Sequence, residues 1–508
     1  MGDSPPTTSI HILDDDSLLN VFYFYRPFLL GEDDDDDSRL IGGVGRWVRG
    51  RWWYKLAHVC QRWRNLVLGS AAYLGVSLVC TKGTRVADML AHSPPLPLVI
   101  DYLEEYDITS EEEEEAILAL KQYDRVRRIR LQMPITTLRK LIAAMDDEYP
   151  TLEYLIITHL VEAKSSISQF PETLQAPRLR HLVLDGFALP TGSRLLTTAV
   201  GLVTFCLAMG HPSTYFHPNT LLQWLSFMPQ LEMLAIVFFF LVPDREVERQ
   251  LSHMPIATPV ILPHLRVFRF QGVGTYLEAF VHQIAAPRLE KLQLLFFNQL
   301  TFSVPHLLQF VNATENLRFK SAKFNFSDEE VHVEMYPHEE AETSALSMAV
   351  NCWHLDWQIS SAAQISHLLS PVFSAVEHLA LEHRAHSRSS EEHNEADRAE
   401  WRKLLGSFRN VKTLRVAEGL VKELSRCLQS DGGELPLELL PELQELVYFG
   451  RGNTGDGFAS FIDARQDAGH PITLVRLGLS PDLSPSVSSF EPSSITQASS
   501  EEGSDLDV

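Results

Sequence analysis

The chain has 508 residues, 45% of them hydrophobic and 21% charged, with a net charge of −23. That length exceeds what one compact core usually supports, so it predicts several domains or an elongated repeat array. Acidity of this degree repels a phosphate backbone, which argues against nucleic acid as a partner. Five scattered cysteines, Cys60, Cys80, Cys206, Cys352 and Cys427, are odd in number and lack metal-ligand spacing, as expected of a reducing cytosol or nucleus. No basic start followed by an apolar core predicts a secretory signal. The longest apolar run, LAIVFFFLV at 234–242, is too short to span a bilayer and reads as a buried strand.

Residues 1–9 are Ser/Thr/Pro-rich and are expected to be loose. The stretch ILDDDSLLNVFYFY (12–25) predicts a helix: Asp14–Asp16 supply the cap and first-turn acids, and Leu18, Leu19, Phe22 and Tyr23 make the apolar face. GEDDDDDSRLIGGVG (31–45) predicts a flexible surface insertion. A second helix is predicted over 46–68, ending in LAHVCQRWRNLVLGS (56–70). There Leu56, Val59, Cys60, Trp63 and Val67 recur at i, i+3, i+4, i+7 and i+11, one stripe of a 3.6-residue helix. Cys60 on that stripe reads as a small buried hydrophobe, with no base placed to activate its thiol.

After Pro94-Pro95 a phrase with apolar positions L-x-x-L-x-L returns. It reads PTLEYLII (150–157), PRLRHLVL (177–184), PQLEMLAI (229–236), PHLRVFRF (263–270), PRLEKLQL (287–294) and PELQELVY (441–448). Fainter copies are RVRRIRL (125–131), GLVTFCL (201–207), AVEHLAL (375–381) and NVKTLRV (410–416). Copies about 23–35 residues apart, with helical periodicity between them, signal leucine-rich repeats. No unit buries its apolar face alone, so stacking is obligatory. An α/β fold follows: an irregular solenoid over 96–480, with a parallel concave sheet and outer helices. Arginines 125–130 alternate with apolar residues and read as the solvated face of one strand. The acidic run Glu111–Glu115 falls at a helix start, where the dipole favours it.

Two acidic stretches, 326–345 and 385–400, read as surface insertions, and the Ser/Asp/Glu-rich tail 481–508 as disordered. GRGNTGDGFASF (450–461) lacks the Gly-Lys-Ser/Thr of a phosphate loop, and QGVGTYLEAF (271–280) follows the same strand–turn–helix logic. Asp456 is expected to cap a helix over 457–465. His378, His383 and His386 lie on or near one strand, whose successive positions diverge, so they read as surface histidines. No catalytic constellation is legible, and neither cofactor, metal nor enzymatic activity is expected.

The opening ILDDDSLLNVF followed by WWYKLAHVCQRWRNLVLGS resembles an F-box, in the form common in mushroom-type fungi, where leucine-rich repeats follow it. The resemblance extends through YLGVSLVCTKGTRVADMLAHSPPLPLVIDY and delimits a helical F-box unit over 10–75. It departs from the family at Asp14, where proline is usual, in the long 31–45 insertion, and in Phe187, Val273 and Phe297 where asparagine commonly ends the repeat phrase. The resemblance implies docking on the Skp-type adaptor of a cullin–RING ubiquitin ligase through Leu13, Leu18, Leu19, Phe22, Leu56, Val59, Cys60, Trp63 and Leu66. It also implies an unidentified target protein on the repeats. The variable strand positions that face the concave side are Tyr154, His181, Asp185, Met233, Arg269, Gln271, Lys291, Gln293, Thr413 and Arg415. A cytoplasmic or nuclear protein fits this reading.

Overall fold

The computed structural model describes residues 12–26, 52–103, 106, 108–159, 168–190, 192–210, 214–239, 259–297, 303–384, 398–428, 439–449 and 457–477. The segments expected to be loose or inserted at 1–9, 31–45 and 481–508 lie outside them, as do residues 385–397 with His386, and Asp456.

Helix α1 (Asp15–Tyr25) starts where the acids predict, with the Asp14 carboxylate accepting the Ser17 amide at 2.7 Å. The second expected helix is broken. α2 (Trp52–Ala57) ends as His58 N donates to Tyr54 O and Val59 N to Leu56 O. α3 (Gln61–Gly69) then starts anew behind an extended Cys60, and α4 (Ala71–Leu74) stops at Gly75, φ +65°. Val59 and Cys60 are weak helix formers, and the break lets both Leu56 and Val67 reach the core while Val59 turns outward. The stripe expected from periodicity is therefore not one face, and Cys60 is half-exposed rather than buried.

Sixteen strands of the described residues form one sheet. They are β1 (Leu78–Cys80), β2 (Leu98–Leu103), β3 (Val126–Met133), β4 (Tyr154–His159), β5 (His181–Asp185), β6 (Thr204–Met209), β7 (Met233–Phe238) and β8 (Val267–Gly272). There follow β9 (Lys291–Phe296), β10 (Ser321–Ser327), β11 (Glu330–Tyr336), β12 (Leu346–Asn351), β13 (His378–Arg384), β14 (Thr413–Ala417), β15 (Glu445–Phe449) and β16 (Thr473–Leu477). Neighbours follow chain order to β9, then run β12, β11, β10, β13 and onward to β16. Only β11 is antiparallel to its neighbours. The stretch 326–345, expected as a surface insertion, thus supplies a full sheet strand. Val331, Val333 and Met335 alternate inward along β11, and its half-buried Glu330 and Glu334 fall on the opposite face.

One apolar ladder shows how the repeat phrase builds the core. Ile129, Leu155, Leu182, Phe205, Leu234, Phe268 and Leu292 sit in register on consecutive strands, each fully buried. The first leucine of each phrase closes a turn. Leu152, Leu179, Leu231, Leu265, Leu289 and Leu443 each donate N–H to the carbonyl three residues back. Phe187, standing where asparagine is common, is buried, and Val273 and Phe297 pack against the same core.

Outer helices are stitched by carboxylates from the neighbouring repeat. Glu115 accepts from Val86 and Ala87 N, and Glu278 from His306 and Leu307 N, each pair opening the preceding or following helix. The acid run 111–115 does open a helix, Ser110–Leu120, with a Thr109–Glu112 capping box. The glycine-rich stretch opens the helix Ala459–Asp467, two residues later than expected, with Phe458 at its cap. Helix Arg398–Gly406 takes the end of the second expected insertion. The N-terminal helices share the solenoid's core, and Trp53 Nε1 donates to Ser77 O at 3.1 Å beside the β1 edge.

Candidate interaction surfaces

Side chains on the non-core face of the sheet fall into rows. The first row runs Arg128, Tyr154, His181, Thr204, Met233, Val267, Lys291 across β3–β9. Its start is a stack: the Arg128 guanidinium lies 4.4 Å from the Tyr154 ring centre, and Tyr154 stacks on His181 at 4.3 Å and 8°. His181 Nδ1 lies 3.0 Å from Thr204 Oγ1. Burial, then Arg128 and Arg180, push the His181 pKa down to about 4, so the ring is neutral at pH 7.

The second row begins with a buried ion pair. Arg130 Nε and Nη2 bind Asp101 Oδ1 and Oδ2 at 2.7 and 2.9 Å. This corrects the reading of 125–130 as a solvated face: Arg130 is 3% exposed. An apolar strip of Ile156, Val183, Cys206 and Ala235 follows on successive strands, separate from the main core, and then Arg269 and Gln293. Cys206 is inert, since burial pushes its thiol up to about 12. Thr413 and Arg415 lie farther on, in β14. Of the expected target-facing residues, Asp185, Gln293 and Thr413 are buried, while Tyr154, His181, Met233, Arg269, Gln271 and Lys291 are half-buried and Arg415 is exposed.

Asp185 closes β5, and its pKa is pushed up to about 7 by burial. Its Oδ1 has no hydrogen-bond partner, and His159 Nδ1 stands 3.9 Å away while contacting the Asp185 carbonyl at 3.2 Å. Gly186 (φ +81°) makes room for this, because a Cβ there would lie 2.3 Å from the His159 ring. The folded pKa exceeds the unfolded one, so the folded chain holds a proton that the unfolded chain releases above about pH 4. The stabilisation is fully present below that pH and lost as pH rises through about 7. Between pH 5 and pH 8 the wild type should lose on the order of 2 kcal/mol more stability than Asp185→Asn, read from urea midpoints at the two pH values. Parallel pH dependences of the two chains would contradict the assignment.

On the N-terminal helices, the residues implied as adaptor contacts divide. Leu18 and Phe22 are 0% exposed. Phe22 packs against Trp63 at 4.7 Å, and Leu56 is also buried. These three therefore shape the unit from inside, as members of the core it shares with the solenoid. Leu19, Cys60, Trp63 and Leu66 are half-buried, and Leu13 and Val59 are exposed. The exposed apolar surface consists largely of residues outside that set: Ile12 and Phe24, each 75% exposed, with Val21 and Tyr25. Their signal was the unusual density of apolar residues, since VFYFY leaves no polar face for the end of α1. Arg62 ties the two helices together, binding Asp15 Oδ1 and Leu13 O, each at 2.7 Å. Tyr23 lies over Tyr73 at 5.5 Å.

A third place was missed by sequence reasoning. A cleft of about 490 Å³ opens between β10, β13 and β14 and the loop after β11, lined by Lys323, His378, Glu382, Arg415 and Glu339. The expectation of plain surface histidines holds for His378 only in part, because it is half-buried and 3.4 Å from Glu339 Oε2. Among the described residues no three His, Cys, Asp or Glu are placed to hold a metal ion, and no helix is long and apolar enough to cross a membrane.

The strand order, the shared register and the recurring leucine turn define a leucine-rich-repeat-like solenoid. The chain is similar to the leucine-rich repeat-containing protein LegL7 from Legionella pneumophila at a TM-score of 0.26 and 11% sequence identity, over 76% of this chain and 97% of that one. At that score the likeness carries no argument, and the class stands on the geometry above. No family model matches the chain, and no curated protein matches it.

Proposed function

We propose that the chain is a non-enzymatic substrate-recognition subunit of a Skp–cullin–F-box ubiquitin ligase, working in the cytoplasm or nucleus. The N-terminal helices hold the Skp-type adaptor, and the concave rows hold a target protein. Catalysis belongs to other subunits, with this chain supplying proximity. The observation that carries the reading is the apolar surface left open on the N-terminal helices. Leu13 and Val59 are exposed, Arg62 Nη2 from α3 binds the Leu13 carbonyl, and Val21, Phe24 and Tyr25 are exposed along α1. Aromatic and aliphatic anchors of this kind dominate protein interfaces.

The test is co-purification of the full chain with a Skp-type adaptor. Because Phe22 is core, its removal would report folding; Leu13→Asp combined with Val59→Asp reports docking. The double variant should bind the adaptor at least about 30-fold more weakly, a hot-spot-sized loss. Its urea midpoint should stay close to wild type. A wild-type chain that ignores the adaptor overturns the ligase reading. The alternative is then an interaction scaffold outside ubiquitination, a reading favoured by the complete burial of Leu18 and Phe22.

A further inference from the structure

The cleft beside β13 contains a carboxylate of the chain's own. The loop 337–345 joins β11 to β12, and Tyr336 at its start pairs with Ser321, which pairs in turn with His378. The loop therefore hangs over the first residues of β13 and β14. From there Glu339 reaches back onto two side chains of the concave face. Its Oε1 accepts from Arg415 Nη2, and its Oε2 lies 3.4 Å from His378 Nδ1. The floor is short: Ala380 stands in register between Lys323 and Arg415 on adjacent strands. Two strand spacings put the cations' backbones about 10 Å apart, with space above the alanine. Lys323 is engaged by Glu382 at 3.0 Å, which leaves Arg415 as the cation the loop takes.

We propose that this cleft recognises a carboxylate-bearing peptide segment of a partner protein, and that the loop occupies it with Glu339 until such a segment displaces it. An arginine fork suits a carboxylate, and the volume suits one or two side chains and not a folded surface. The loop's own sequence, PHEEAETSA, is the chemistry of the guest. Tethering gives Glu339 a high effective concentration, so a guest competes poorly with the intact loop. The chain's net charge of −23 repels an acidic peptide at long range. At 0.15 M salt that repulsion is screened beyond about 8 Å, and recognition is left to the contacts in the cleft.

This rests on the concave face being a recognition surface, yet its test does not involve the N-terminal helices, so it can fail while adaptor docking stands. A fluorescent peptide of residues 337–345 is titrated in trans into the full chain, with binding read as anisotropy. Glu339→Ala should bind the peptide at least tenfold more tightly than wild type. Adding Arg415→Gln should abolish the gain, and a peptide with its three glutamates replaced by glutamine should not bind. Equal binding by wild type and Glu339→Ala, retention after Arg415→Gln, or no binding to Glu339→Ala overturns the proposal.

Discussion

Replacing Asp101 by alanine is expected to cost about 3–5 kcal/mol of folding stability, the range for removing one partner of a buried ion pair. Asp101 and Arg130 face each other in register on β2 and β3, joined by two short hydrogen bonds, with side chains 1% and 4% exposed. Alanine leaves a guanidinium charge in that setting without its carboxylate. The pair also has a job of register. Pairing between β2 and β3 slips by one residue between Leu98 and Val99, where Arg127 bulges out toward Glu153. The Asp101–Arg130 fork holds the alignment immediately beyond the slip. Because breaking a pair is costly while replacing it is often neutral, Asp101→Leu combined with Arg130→Leu should recover most of the loss. Urea unfolding of the three chains checks this; a single variant within about 1 kcal/mol of wild type would remove the pair from any structural role.

The repeat architecture was legible because its signal is redundant. Each L-x-x-L-x-L phrase places three apolar residues at fixed spacing on one face of a strand and its entry turn, and six clear copies leave little freedom in strand assignment. β11 was lost for the opposite reason. EVHVEMY carries a period-2 pattern, but it sits alone among glutamates and outside the repeat phrase, so composition outweighed periodicity. At 56–67 periodicity itself misled: the apolar spacing is helical, yet a break at Val59 and Cys60 re-aims half of it. Asp101 and Arg130 are 29 residues apart and look like ordinary surface charges until the register brings them together. The Glu339–Arg415 contact is longer still in sequence, and it depends on the strand that composition hid.

These misses share a cause that bears on function. Single-element patterns report which residues face a core, whereas candidate sites on a solenoid arise across strands, from rows that no single repeat contains. The row from Arg128 through Tyr154 to His181 exists only because three repeats align their first outward positions. Six of the residues predicted to face a target, among them Tyr154 and His181, are half-buried on this sheet.

Near the other end of the solenoid, Arg465→Met should remove about 2–4 kcal/mol and do so locally: the carbonyls of Pro441 and Leu443 lose their donor, at about 1–3 kcal/mol for each orphaned acceptor, while Leu440 O keeps the Leu443 N–H. Arg465 is fully buried in the helix Ala459–Asp467. Its guanidinium donates to the carbonyls of Leu440, Pro441 and Leu443 at 3.1, 3.0 and 3.3 Å. Those carbonyls belong to the turn that delivers β15, and Leu440 there has φ +50°, the left-handed region that side chains other than glycine adopt at a cost. Arginine thus holds a strained turn from inside the last helix. Methionine fills similar space without a donor, and part of the loss is offset because no charge is buried. In a solenoid each repeat leans on its neighbours alone, so the damage should stay near the end. Hydrogen exchange should show lost protection in β15 and β16, with β4 to β9 unchanged. Uniform loss along the chain, or none, would mean that the turn does not depend on this clamp.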